Sequence, residues 1–267
     1  MPAQVKSLKK KGNSYEVILT YDLAKDKELV LSEDMVVEYR LVKDRILSDS
    51  DYAKLLLESE FDRYLEKAKH WLLFAPRSIR ATREYLEKAG ADKETAEKAM
   101  EKLIRTGLLD DVAKASDLAN FLAEEKRFGP KRIIFELTRK GFSLELAGKA
   151  ATNLPDEITK SNLDYLFNRK IRSLKKGSIN QAKSTMRAFL ARKGYDLDTI
   201  NMFVADRKSE FTDFIDEKKQ IARDYGILKA KYAKSELSEI EKQEKTIEAL
   251  SRKGYSYQLI KDTIERG

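Results

Sequence analysis

Four glycines, each preceded four residues earlier by a leucine, constrain this chain more than any other feature. They stand in Tyr85-Leu-Glu-Lys-Ala-Gly90-Ala91, Glu136-Leu-Thr-Arg-Lys-Gly141-Phe142, Phe189-Leu-Ala-Arg-Lys-Gly194-Tyr195 and Ala249-Leu-Ser-Arg-Lys-Gly254-Tyr255. The copies recur roughly every 50 to 60 residues, the period of a helical repeat protein. A glycine can end a helix in the left-handed conformation without a Cβ penalty, and basic residues before it favour a helix end. Two residues beyond each glycine stand Asp92, Ser143, Asp196 and Ser256, all able to cap a following helix. Each copy therefore predicts a helix, a sharp turn and a second helix. Leu86, Leu137, Leu190 and Leu250 before the turn, and Ala96, Ala147, Ile200 and Ile260 six residues after it, are the expected core.

Room upstream of each turn admits one more helix, so the expected fold is mainly α: tandem three-helix, helix-turn-helix-like repeats in a curved elongated array. Gly107, Gly129-Pro130, Gly177-Ser178 and Gly226 are read as punctuation between helices, and residues 207–225 as a helix joining the last two copies. Residues 1–47 differ. Val17, Leu19 and Tyr21 alternate with Ile18 and Thr20, and Gly12-Asn13-Ser14 and Asp26 supply turn chemistry. Strands are expected near 3–9, 14–21 and 28–32, with a short helix over 34–39. Ser48 or Ser50 caps the helix that follows, with Tyr52, Leu55, Leu56, Ser59 and Tyr64 on one stripe. The expected division is a β-rich domain over 1–47, a linker helix and first repeat over 48–110, a second repeat over 111–155, a third with an extended helix over 156–225, and a partial fourth over 226–267.

Composition narrows the chemistry. With 11 glycines and 4 prolines among 267 residues, a many-turned β sandwich is a poor fit. No cysteine is present, which removes disulfides and thiolate metal sites. The single histidine, His70, excludes a paired-His metal site and, beside Trp71, reads as a helix residue at a core edge. Nothing nominates a catalytic acid or base, a metal ligand or a cofactor. Gly177-Ser-Ile-Asn-Gln-Ala182-Lys183-Ser184 approximates a phosphate-binding loop, but Ala182 replaces its second glycine and no buried strand precedes it, so Ser178 as a helix cap is the better reading. The opening residues lack the apolar core of a secretory signal, and no run approaches the roughly 18 apolar residues of a membrane helix. A cytoplasmic protein, without a membrane partner and acting as a single copy, is expected.

Charge is unevenly placed. Between residues 164 and 195, Arg169, Lys170, Arg172, Lys175, Lys176, Lys183, Arg187, Arg192 and Lys193 face one acid, Asp164, an excess equal to the +8 of the whole chain. A second group, Lys126, Arg127, Lys131, Arg132, Arg139 and Lys140, is offset only by Glu125 and Glu136. Lys131, Arg132, Arg139 and Lys140 with the nine residues of the first group are the candidate binding residues, suited to phosphate backbones or an acidic protein surface. Tyr165, Phe167, Phe189 and Tyr195 interleave with them, and core packing explains these aromatics better than base stacking.

The stretch Gly129-Pro130-Lys131-Arg132-Ile133 running into Glu136-Leu137 and Lys140-Gly141 resembles the RecX regulatory proteins, which restrain the RecA recombinase. Gly107-Leu108-Leu109-Asp110-Asp111 is similar to the junction between that family's repeats, and Pro76-Arg77-Ser78 with Tyr85-Leu86 to its first repeat. The β-rich opening followed by Tyr39-Arg40-Leu41-Val42-Lys43 is similar to longer Gram-positive members. Ala89 and Ala91 depart from the family pattern at the first turn. The resemblance implies a non-enzymatic protein that binds the RecA filament, opposes its growth or persistence, and lowers ATPase, strand-exchange and co-protease activity. It implies single- or double-stranded DNA as a further partner. The alternative is a tandem helix-turn-helix nucleic-acid binder acting without RecA; a phosphotransfer enzyme using the Gly177 segment is the weakest reading.

Overall fold

The structure, a computed structural model, describes residues 3–12, 14–21 and 25–266. Strands β1 (Ala3–Lys11), β2 (Ser14–Tyr21) and β3 (Lys25–Ser32) form an antiparallel meander, and β4 (Ile46–Leu47) pairs with β1 to give the order β3-β2-β1-β4. Alternation places Val5, Val17, Leu19 and Leu31 on the covered face. Helix α1 (Glu33–Glu38) and the start of α2 (Asp49–Leu73) close that face with Met35, Val36 and Leu55. Asp26 is a strand residue opposite Thr20, accepting from Thr20 Oγ1 at 2.8 Å and Lys6 Nζ at 2.7 Å, rather than a turn residue. The turn expected at Asn13 lies outside the described residues.

Ser48, not Ser50, caps α2, accepting from the Asp51 amide at 3.0 Å. Along α2, Leu55, Ser59 and Tyr64 are buried, while His70 is exposed with its ring edge-on to Phe74. The next helices are α3 (Ile79–Lys88), α4 (Lys93–Arg105), α5 (Asp111–Glu124), α6 (Pro130–Arg139), α7 (Leu144–Thr152), α8 (Asp156–Ile171), α9 (Ile179–Lys193) and α10 (Leu197–Asp206). They are followed by α11 (Lys208–Phe214), α12 (Glu217–Ala233), α13 (Glu239–Arg252) and α14 (Tyr257–Glu265). All four glycines sit between helices at φ values of +94°, +97°, +96° and +85°. Asp92, Ser143, Asp196 and Ser256 each accept the predicted cap bond, from Thr95, Leu146, Thr199 and Leu259. The eight expected core residues are all buried.

Two compact units emerge, one comprising the chain to Leu118 with Leu137–Leu146, the other Ala119–Glu136 with the chain from Ala147. In the first, α2, α3 and α4 enclose Tyr64, Leu65, Leu86, Met100 and Leu103. In the second, α8 to α11 enclose Phe167, Met186, Leu190, Ile200 and Phe211, and α12 to α14 enclose Ile221, Leu228, Leu250 and Ile260.

The helix expected over 207–225 is broken. Ile215 turns extended (φ −122°, ψ 106°) to bury itself with Phe211, and Asp216 caps α12 by accepting from the Lys219 amide. A boundary at 225 would cut α12, whose Ile221 and Leu228 pack with α13 and α14. Gly226 lies inside α12 and ends nothing, because the buried face of that helix runs past it.

Candidate partner-binding surface

The glycine turns do more than reverse the chain: each of the last three receives the start of the second helix from the preceding copy. Ser78, the cap of α3, donates its hydroxyl to the Lys140 carbonyl beside Gly141 at 3.3 Å, while the Ile79 amide donates to Asp111 at 2.8 Å. Ser178, the cap of α9, donates to the Lys253 carbonyl beside Gly254 at 2.6 Å, while the Ile179 amide donates to Glu217 at 2.8 Å. At α6 the serine position is Gly129, whose amide donates to the Lys193 carbonyl beside Gly194 at 2.8 Å. Pro130 has no amide to satisfy, which suits the first helical position. A Cβ on Gly129 would stand 2.5 Å from the Gly194 and Tyr195 backbone, so two backbones meet here directly. The Gly90 turn faces Tyr64, and Ser238, where the series ends, is capped reciprocally by Glu241.

These junctions sort the thirteen candidate cations. Arg132 lies in the second junction, paired with Glu136 at 2.6 Å and stacked over Phe128 and Phe135. Lys193 sits over Phe128 as well and donates to the Lys126 carbonyl at 3.3 Å; burial, and secondarily the charge of Arg169, lowers its pKa. Lys131 is exposed in the first turn of α6, its amide donating to Gly194 O at 3.0 Å. Arg139 and Lys140 belong to the first unit while Lys131 and Arg132 belong to the second, so the 126–140 group is not one patch on either unit.

Around α8 and α9 the field is more coherent. Arg169, Arg172, Lys175, Lys176 and Arg192 are exposed. Lys170 and Lys183 are half-buried over Phe189 and Phe211, and Arg187 donates from Nε to Asn201 Oδ1 at 3.0 Å. Asp164, the one acid of the stretch, is paired with Arg207 from outside it, so it neutralises none of the nine. Phe167 and Tyr195 are buried as expected, and burial pushes the Tyr195 hydroxyl up to about 12. Tyr165 stays exposed beneath the Arg127 guanidinium, 4.1 Å from its ring centre. Arg127, held at φ +53° and donating to Asn162 Oδ1 at 2.5 Å, is absent from the sequence-derived candidates, as are Asn201 and Leu197. Arg127 stands in the second basic group of the sequence, whereas only their position relative to a turn glycine could have drawn notice to Asn201 and Leu197.

A groove of about 630 Å³ in the first unit runs along α1, α2 and α4. Its most buried acid, Asp62, accepts from the Ser32 amide and hydroxyl at 2.7 Å each, and desolvation raises its pKa. Asp62 thus ties the sheet domain to α2. Among the described residues no three metal-ligating side chains cluster, and no helix is long and apolar enough to cross a membrane.

No protein-family model matches the chain. It is 27% identical over 266 residues to the regulatory protein RecX of Oceanobacillus iheyensis, covering 99% of this chain and 97% of that protein. It is 27% identical over 246 residues to the protein of the same name from Staphylococcus aureus strain JH9, covering 89% and 86%. A crystal structure of regulatory protein RecX superposes with a TM-score of 0.54 at 18% identity, covering 76% of this chain and 99% of that one. RecX from Lactobacillus salivarius superposes at 0.51 and 18%, covering 55% and 95%. The structural likeness supports the fold, and the sequence likeness extends from end to end.

Proposed function

From this full-length kinship with the RecX regulatory proteins, we propose that the chain is a non-enzymatic, cytoplasmic regulator that binds the RecA recombinase or its DNA filament and limits filament growth or persistence. ATP turnover, strand exchange and co-protease activity of the recombinase fall as a consequence. The carrying observation is the 27% identity over 99% of the chain. The recurrent junctions agree with it: within each unit neighbouring repeats are locked together by these bonds, and linked contacts raise effective concentration without any single one being strong. The exposed cations Arg169, Arg172, Lys175, Lys176 and Arg192 are the primary contact set. Lys170, Lys183 and Lys193 support it from half-buried positions, and Arg132 serves the junction.

The deciding experiment is RecA ATPase on single-stranded DNA with and without this protein. Hydrolysis should fall as the protein is added; unchanged hydrolysis together with no co-sedimentation on filaments refutes the reading. The alternative of a tandem helix-turn-helix DNA binder is disfavoured by α10. In a helix-turn-helix the second helix enters the major groove, yet α10, in the most basic repeat, contains no lysine or arginine.

A further inference from the structure

In the first and third repeats the seventh residue before and the seventh after the turn glycine face each other across the helix pair, and the first of these is arginine. In the first repeat Arg83 meets Glu97, with Nε 2.9 Å from the carboxylate. In the third repeat Arg187 meets Asn201 through one Nε donor at 3.0 Å, and among the described residues it makes no ion pair. If this arginine served only to tie the two helices, a carboxylate would do it better, since charge-assisted bonds are roughly twice as strong. An amide fixes the guanidinium in place and leaves its charge and its outer N–H groups uncancelled. That is the arrangement of an arginine held ready for an anion, carboxylate or phosphate.

Its surroundings select the type of anion. Leu197, one turn before Asn201 and on the same face of α10, is 62% exposed. The equivalent first residues of α7 and α14, Leu144 and Tyr257, are exposed by 71% and 67%, whereas the first repeat has Lys93 there. One exposed leucine is ordinary; one beside an uncompensated, oriented arginine is a two-point contact. Asp198 is exposed next to Leu197, and α10 has no cation. A phosphate chain would find an apolar surface at Leu197 where it needs donors, while an acidic side chain followed by an apolar one would be satisfied at both points, and Asp198 acts equally on either anion.

We infer that Arg187, oriented by Asn201, and Leu197 form a recognition site for a protein segment carrying an acidic residue beside an apolar one, and that the first repeat has the same site closed by Glu97 and Lys93. This rests on the filament-regulator reading and names the part of the partner that the third repeat takes. The test is co-sedimentation of full-length wild type, Asn201→Glu, Arg187→Gln and Leu197→Ala with RecA filaments on single-stranded DNA, and with single-stranded DNA alone. Asn201→Glu copies the ion pair the first repeat already accommodates, so its circular dichroism should be unchanged. Filament affinity should fall about tenfold in Asn201→Glu and Arg187→Gln and several-fold in Leu197→Ala, with affinity for bare DNA unaltered. If Asn201→Glu misfolds, Arg187→Gln decides. Wild-type binding retained by Arg187→Gln overturns this site and leaves the regulator reading intact. A parallel loss on bare DNA overturns it in favour of a phosphate contact, and failure of wild type to bind filaments refutes the regulator reading itself.

Discussion

Gly194 shows how much one residue can carry. It ends α9 at φ +96°, and a Cβ there would fall well inside contact distance of the Arg132 backbone and Cβ. Gly194→Ala therefore combines a left-handed alanine with a backbone clash, together about 3 kcal/mol. Gly226→Ala, in the open interior of α12, should instead stabilise by roughly 0.5–1 kcal/mol. Urea unfolding of the two variants checks this, and similar midpoints would refute the junction geometry. The left-handed role of Gly194 is legible in the sequence because the helix stop is local. Its contact with Arg132, 62 positions upstream, is not. Residue identity alone likewise places Arg187 among nine equivalent cations; its partner Asn201 is a neutral side chain that no charge count would select.

At the level of elements, the serine caps have unequal tasks. Ser178 accepts from the Gln181 amide at 3.1 Å and also donates to Lys253 O across a junction, with its side chain fully buried. Ser238 caps α13 in an exposed reciprocal box with Glu241. Removing Ser238 should cost about 1 kcal/mol, the usual value of a cap, and removing Ser178 about 2 kcal/mol because the part-buried Lys253 carbonyl also loses its donor. Thermal unfolding of the two alanine variants measures the difference, and equal losses would mean the junction bond adds nothing. Helix starts were readable from Ser, Asp and Gly spacing, since capping involves neighbours three residues apart. The break at Ile215 was not: a buried apolar residue reads as more helix until the Phe211 core it enters is known. The same holds for β4, two residues long and defined only by its pairing with β1.

For the whole molecule, the basic excess gives a separate test of the regulator reading. Arg169, Arg172, Lys175 and Lys176 are exposed, so changing all four to glutamate should leave the helical spectrum intact and weaken inhibition of RecA ATPase by an order of magnitude or more, about 1.4 kcal/mol for each tenfold. Full inhibition by a folded variant would remove this face from the contact. What the sequence determined by itself is everything that repeats or acts within a turn of helix: four glycine stops, their caps, the leucines beneath them, the β-rich opening and the stretch of unbalanced charge. Tertiary structure alone decided which cations are committed to junctions, which are exposed, and which are held by an amide, as Arg127 and Arg187 are. The physical reason is range. Helix stops and caps are settled by dihedral preference and hydrogen bonds between near neighbours, whereas the state of a charge depends on whichever group folding brings opposite it.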